Sequence, residues 1–175
     1  MDKKQNSIII PIKGLACGRH CFDFIVNGEF FSEFGNSQIK DAHCEVVIEA
    51  EKNTSYMGID CRIDGKVIVE CDRCLEDLVI PIDIDRALSV KFAKESEESD
   101  DDDIMILDER DADLDLNQFV YDYICLAVPL QKIHPDGECD IEMIKRIAGE
   151  DKTKGQNGDD TPFSNLKDLL NNKNN

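Results

Sequence analysis

Tryptophan is absent from this sequence, aromatic residues make up only 6% of it, and Lys and Arg number 20 against 38 Asp and Glu. Nowhere do the basic residues cluster, so the chain lacks the phosphate-neutralising surface that direct RNA or DNA binding requires. No apolar run approaches the roughly 18 residues that suggest a membrane-spanning helix, which excludes an integral membrane protein of that kind. The N-terminal stretch MDKKQNSIIIPIKGL has only a short apolar segment before Pro11, with Lys13 soon after. It does not read as a signal peptide, and a cytoplasmic location is expected. Catalytic signatures are missing too: there is no Gly-rich phosphate loop, nucleophile elbow or HExxH, and 3 histidines leave few candidates for general-base work. The expectation is a protein without enzymatic activity and without a small-molecule substrate.

What is present is a chain of 175 residues, about the size of one domain, with 41% hydrophobic residues and a formal charge of −18. The reading is one α+β domain over residues 1–148 and a flexible tail over 149–175. An acidic surface of this strength attracts cationic partners and speeds their association, although it also serves solubility. The expected partner is therefore basic. The 8 cysteines, without an export signal, read as free or metal-bound thiols and not as a disulfide framework.

The first half has the period-2 patterning of strands. Ser7 to Leu15 is an extended segment in which Pro11 argues for an edge or a strand end, and Cys21 to Val26 places Phe22, Phe24 and Val26 on one face. Asn27-Gly28 then has the chemistry of a hairpin turn. His43 to Glu51, Tyr56 to Ile63 and Lys66 to Cys71 read as three strands, the last two divided by a turn at Asp64-Gly65. Leu78 to Phe92 continues the alternation, with Ile80, Ile82 and Ile84 on one side and Pro81, Asp83 and Asp85 on the other. Short connections imply antiparallel pairing, as a meander or a partly open barrel.

Residues 95–103, ESEESDDDD, are too acidic to pack and read as a solvated loop, or a lure for a basic partner. A short strand follows at Ile104 to Leu107. Asp113 to Val128 is expected to be a helix with Leu116, Val120, Tyr123 and Ala127 on one stripe, ending before Pro129. Ile141 to Ala148 makes a second short helix, and Pro162 to Leu170 a small amphipathic one in the tail.

Cys71-Asp72-Arg73-Cys74 is the sharpest local motif. Two thiolates at this spacing can grip one zinc ion, but tetrahedral coordination needs two more donors, for which His134 and Cys139 are the best pair. The turn chemistry of Pro135 to Gly137 can fold that pair together, yet 59 residues separate Cys74 from His134, so only the tertiary fold can join the halves. Two other readings stand beside zinc: a reduced pair that merely packs, and a thiol-exchange centre. The latter calls for a helix start after the motif, whereas a strand follows here. Cys17, His20 and Cys21 form a second donor-rich stretch, but strand alternation scatters them and a packing or surface role is favoured. Cys44, Cys61 and Cys125 sit in apolar-periodic segments and read as small core residues.

Several segments together resemble the YceD family of large ribosomal RNA subunit accumulation proteins: VIVECDRCLEDLVIPID at 67–83, DLNQFVYDYICLAVPLQKIHPDGEC at 115–139 and PFSNLKDLL at 162–170. They occur in the family's order. The resemblance implies a cytoplasmic bacterial protein of ribosome biogenesis, needed for accumulation of the large-subunit ribosomal RNA, with no established catalytic reaction. Cys71, Cys74, His134 and Cys139 stand where members often carry cysteine or histidine. Because the charge repels phosphate, the expected partner is a basic ribosomal protein or assembly factor, with direct contact to nucleic acid disfavoured but left open. The alternatives are a zinc-stabilised interaction module unrelated to ribosomes and a CxxC thiol oxidoreductase.

Overall fold

The structure, a computed structural model, describes residues 4–5, 7–92, 104–108 and 111–149. The chain divides into two compact units, Met1–Cys139 and Asp140–Asn175. The first is α+β. Its strands are β1 (Lys4–Gln5), β2 (Ile9–Pro11), β3 (Gly18–Asn27), β4 (Ile39–Lys52), β5 (Tyr56–Glu70), β6 (Asp77–Phe92), β7 (Ile104–Leu107) and β8 (Asp113–Asp115), and its helices are α1 (Gly28–Glu33) and α2 (Asn117–Ala127). Strands β3 to β6 form the expected antiparallel meander in a sheet ordered β1-β3-β4-β5-β6-β7, with β1 and β7 added in parallel at the two edges. Strands β2 and β8 pair antiparallel as a separate two-stranded sheet.

Period-2 patterning places one face of the large sheet in the core and the other in water. Cross-strand neighbours Val46, Ile63 and Ile84 are all buried, as are Ala50, Ile59 and Leu88 in another row. Each of the Val, Ile and Leu side chains in these rows contributes roughly 1.5–3 kcal/mol when fully buried, and Ala50 less. A register shift between Ile39 and Asp41 bulges β4, which lets Ile39 and Ala42 both enter the core although they are an odd number of residues apart. Helix α2 packs against β6 on the inner face. There it buries Leu116, Val120 and Ile124, and the Arg86 guanidinium lies 5.1 Å from the centre of the Tyr123 ring.

Three local expectations are corrected. Asp64-Gly65 is not a turn: β5 runs unbroken from Tyr56 to Glu70, and both residues stay in register, Asp64 opposite Glu45 and Gly65 opposite Cys44. Gly65 has φ +155°, and a Cβ there would lie 2.2 Å from the carbonyl oxygen of His43. Glycine is needed so that two strands can approach each other, not to reverse the chain.

Asn27-Gly28 likewise starts no hairpin. The Asn27 side chain accepts a hydrogen bond from Glu29 N at 2.9 Å and caps α1, whose Phe30 and Phe31 are buried. Asn serves turns and caps by the same side-chain chemistry, and the apolar pair that follows decides for the helix.

The helix expected from Asp113 also starts later. Asp113–Asp115 is strand β8, with Leu114 buried between two exposed aspartates, and α2 begins only at Asn117. Asp115 Oδ1 accepts from Asn117 N, and Asn117 Oδ1 accepts from Ile8 N, both at 2.8 Å, so this junction also ties β2 to α2. The buried stripe passes through Ile124; Tyr123 is half-buried and Ala127 exposed. The helix does end before Pro129, with Val128 as its C-cap.

In the second unit, α3 (Ile141–Ala148) has the expected bounds. Asp140 caps it by accepting from Met143 N at 2.7 Å, and Gly149 closes it in the left-handed conformation. The acidic stretch 95–103 and the segment 162–170 lie outside the described residues.

Candidate metal centre

Strand β5 delivers its last inward positions, Val67 and Val69, into the core, and Cys71 continues that face one step beyond the strand. The chain then turns. Leu75 N–H donates to Cys71 O at 3.0 Å and Cys71 N–H to Glu76 O at 2.9 Å, which launches β6 back along β5. Leu75 takes φ +65°, unusual for a side chain of its size. This tight reversal turns the sulfurs of both Cys71 and Cys74 inward, and both residues are buried.

The segment after α2 closes over this knuckle through a reciprocal link. Asp72 N–H donates to Lys132 O at 2.6 Å, Lys132 N–H donates to Asp72 Oδ2 at 2.7 Å, and Lys132 Nζ lies 3.6 Å from Asp72 Oδ1. Two residues further on, His134 enters the knuckle. Glu138 N–H then donates to Pro135 O at 3.0 Å, and Gly137 takes a positive φ. That turn brings Cys139, also buried, back to the same point.

The ligand atoms of Cys71, Cys74, His134 and Cys139 thereby lie within 4.8 Å of one another. His134 Nδ1 is 3.4 Å from Cys74 Sγ and 3.9 Å from Cys139 Sγ, while His134 Nε2 is 3.2 Å from the carbonyl oxygen of Asp77. A carbonyl only accepts, so this contact places the proton of the neutral imidazole on Nε2. The Nδ1 lone pair then faces the sulfurs, as a metal-ligating histidine oriented by a backbone acceptor does.

The electrostatics suit a cation. Burial pushes the Cys71 thiol up, but backbone N–H groups of Cys74, Arg73 and His134 directed at the sulfur outweigh it and bring the thiol down to about 6. The His134 imidazole is raised, first by its hydrogen bond with the Cys71 side chain, with burial opposing. Cys139 is raised by burial, then by its sulfur neighbours Cys74 and Cys71. Three soft sulfurs and one imidazole, enclosed and converging, can hold a metal ion of the kind that thiolate and nitrogen donors select.

All four residues expected from the sequence are therefore brought together. The Asp72–Lys132 link and the Asp77 carbonyl were not foreseen. Nothing in the sequence marks a backbone acceptor, and a lone Asp–Lys pair 60 residues apart carries no periodic signal.

The second donor-rich stretch does not assemble among the described residues. Cys17 and Cys21 are exposed, and His20 Nε2 is 2.9 Å from the carbonyl oxygen of Ala16. Neighbours on a strand point to opposite faces, which separates His20 from Cys21. Cys44 and Cys61 are buried core residues as expected, and burial pushes their thiols up to about 11 and about 12. Cys125 is half-buried, 3.4 Å from the Asn36 amide nitrogen that donates to it.

No helix among the described residues is long and apolar enough to cross a membrane. No curated protein and no solved structure matches the chain. One family model does, over residues 59–170, which takes in the whole knuckle, α2 and the segment that carries His134 and Cys139. On that match over more than half of its length, the chain belongs to the YceD family of large ribosomal RNA subunit accumulation proteins.

Proposed function

We propose that this protein is a non-enzymatic ribosome-biogenesis factor, needed for accumulation of the large-subunit ribosomal RNA, which acts by binding a basic ribosomal protein or assembly factor. The family match over residues 59–170 carries the ribosomal part of this reading. The formal charge of −18 supports a basic protein as the partner, because phosphate is repelled and cationic surfaces are steered inward.

In this reading one zinc ion is held by Cys71, Cys74, His134 and Cys139. Its role is structural. Four protein donors leave no open position for a substrate or a reactive water, so the ion cross-links the β5–β6 reversal to the segment after α2 and contributes folding free energy. The chain's own part is to pre-form the cage. The Asp72–Lys132 link sets the spacing of the two halves, the Asp77 carbonyl turns the imidazole, and the backbone N–H groups hold Cys71 ready as a thiolate.

Thiol exchange is the weaker reading. Cys71 and Cys74 are 0% and 2% exposed and lie between two strands, where neither a partner disulfide nor a helix dipole reaches them.

The test is depletion of the protein in the cells that make it, with the ratio of large- to small-subunit ribosomal RNA as the readout. The ratio is expected to fall and to recover with the wild-type chain, but not with Cys71→Ser, Cys74→Ser. A ratio unchanged by depletion would remove the ribosomal reading.

A further inference from the structure

The inner face of the sheet is occupied by the core; the outer face is built differently. Along β4, β5 and β6 its positions hold Glu45, Glu49, Asp60, Asp64, Asp83 and Asp85, all exposed. Glu45 is paired directly with Asp64, and Asp64 directly with Asp83, so three carboxylates stand abreast on three adjacent strands. Like charges directly opposite each other in a sheet repel, and the carboxylates of this face outnumber its cations, which include Arg62, Lys66 and Lys91. Of the cations nearby, Arg62 is bound to Asp85 through two hydrogen bonds, at 2.9 and 3.2 Å. The face also has relief: a shallow depression of about 640 Å³ includes Val47, Glu49, Asp60, Arg62, Asp85 and Ala87 in its lining. Its lining is apolar at Val47 and Ala87 and carboxylate at Glu49, Asp60 and Asp85, with Arg62 and Arg86 among them.

The geometry points to this outer face as a docking surface for an extended, Lys- and Arg-rich polypeptide segment. Charge complementarity and shape together support this docking mode. An extended segment with basic residues at alternate positions presents a cation about every 7 Å along one side, the same interval that separates successive outer-face residues of one strand, such as Asp83 and Asp85 on β6. The aliphatic stems of Lys and Arg cover apolar lining while their heads reach the carboxylates. Nucleic acid has the wrong charge for this face. The inference deepens the proposed function, since it names the surface that receives the basic partner.

The test uses the full chain and a synthetic peptide of about twelve residues alternating Arg or Lys with Ala, at near-physiological salt where diffuse attraction is screened. Two variants each remove three negative charges: Asp60→Asn, Asp64→Asn, Asp83→Asn on the sheet, and Asp100→Asn, Asp101→Asn, Asp102→Asn in the acidic stretch. The sheet variant is expected to bind the peptide about tenfold more weakly, and the acidic-stretch variant to stay within about threefold of wild type. Because Asp64→Asn relieves like-charge neighbours, the melting temperature of the sheet variant should hold or rise. If it unfolds instead, amide shifts on the wild-type chain decide: peptide-induced changes should centre on Val47, Asp60, Arg62 and Ala87. Equal losses in both variants, shifts centred on residues 93–103, or tighter binding of a large-subunit RNA fragment than of the peptide would each overturn the assignment. Failure of the ribosomal reading is distinguishable, because it is read in cells from the ribosomal RNA ratio and is independent of peptide affinity.

Discussion

His134 Nδ1 lies 3.4 Å from Cys74 Sγ across 60 residues of sequence, and no element of regular secondary structure makes that contact. It is made by two irregular segments, each held in shape by its own turn and joined to the other by Asp72 and Lys132. A metal ion at this point closes a long loop, the situation in which a cross-link stabilises most.

Asp72→Ala removes the acceptor for Lys132 N–H and the charge beside Lys132 Nζ. The pair is partly solvated, so the expected cost is about 1 kcal/mol, with zinc bound more weakly in a chelator competition. Asp72→Asn retains an acceptor oxygen and should lie closer to wild type. Equal effects for the two variants would show that the link is not what sets the cage.

Two glycines of β5 give opposite expectations. Gly65→Ala forces a Cβ to within 2.2 Å of His43 O at a φ of +155°, and should destabilise the protein by about 3 kcal/mol or more. Gly58 has nothing within 4 Å of its would-be Cβ, so Gly58→Ala should change stability by about 0.5 kcal/mol or less. Urea melts of the two variants check this, and similar midpoints would argue against the close approach of β4 and β5.

Much of the core and of the site was legible in the sequence, for identifiable reasons. Alternation of buried Ile80, Ile82 and Ile84 with outward-facing Pro81, Asp83 and Asp85 is a direct print of a half-buried strand. CxxC and a His-x4-Cys turn are local motifs whose chemistry is evident before folding. What misled was chemistry shared by two structures. Gly65 signals a turn as readily as a close strand approach, and Asn27 caps a helix as readily as it turns a hairpin. Asp113 and Asp115 suit a helix N-terminus, but pairing of Leu114 with Ile10 in β2 claims them for a strand. That partner lies more than a hundred residues away, where no window on the sequence reaches.

Stability should fall on the alkaline side because of Cys44 and Cys61. Burial raises their folded-state thiols from 9.0 to about 11 and about 12, so above pH 9 the unfolded chain releases protons that the folded chain retains. Stability is then lost as pH rises from about 9 towards 11 or 12, by up to about 1.4 kcal/mol per pH unit for each thiol. Cys61→Ala should flatten this decline in denaturation measured across pH, and an unchanged slope would contradict it.

Thiol accessibility follows the same map. At neutral pH an alkylating reagent should modify Cys17 and Cys21 rapidly, with Cys44 and Cys61 unreactive until the chain unfolds. A chelator should newly expose Cys71, Cys74 and Cys139, seen as three added labels by mass spectrometry. Labelling of those three without chelator, as fast as that of Cys17, would mean that the cage stands open.

The most direct test of the central claim is elemental analysis of protein purified without a metal-binding tag, beside the Cys71→Ser, Cys74→Ser variant. About one zinc per chain is expected in the wild type, lost from the variant together with a lower melting temperature. Wild-type protein that is fully folded, free of zinc and unable to take it up would contradict that claim.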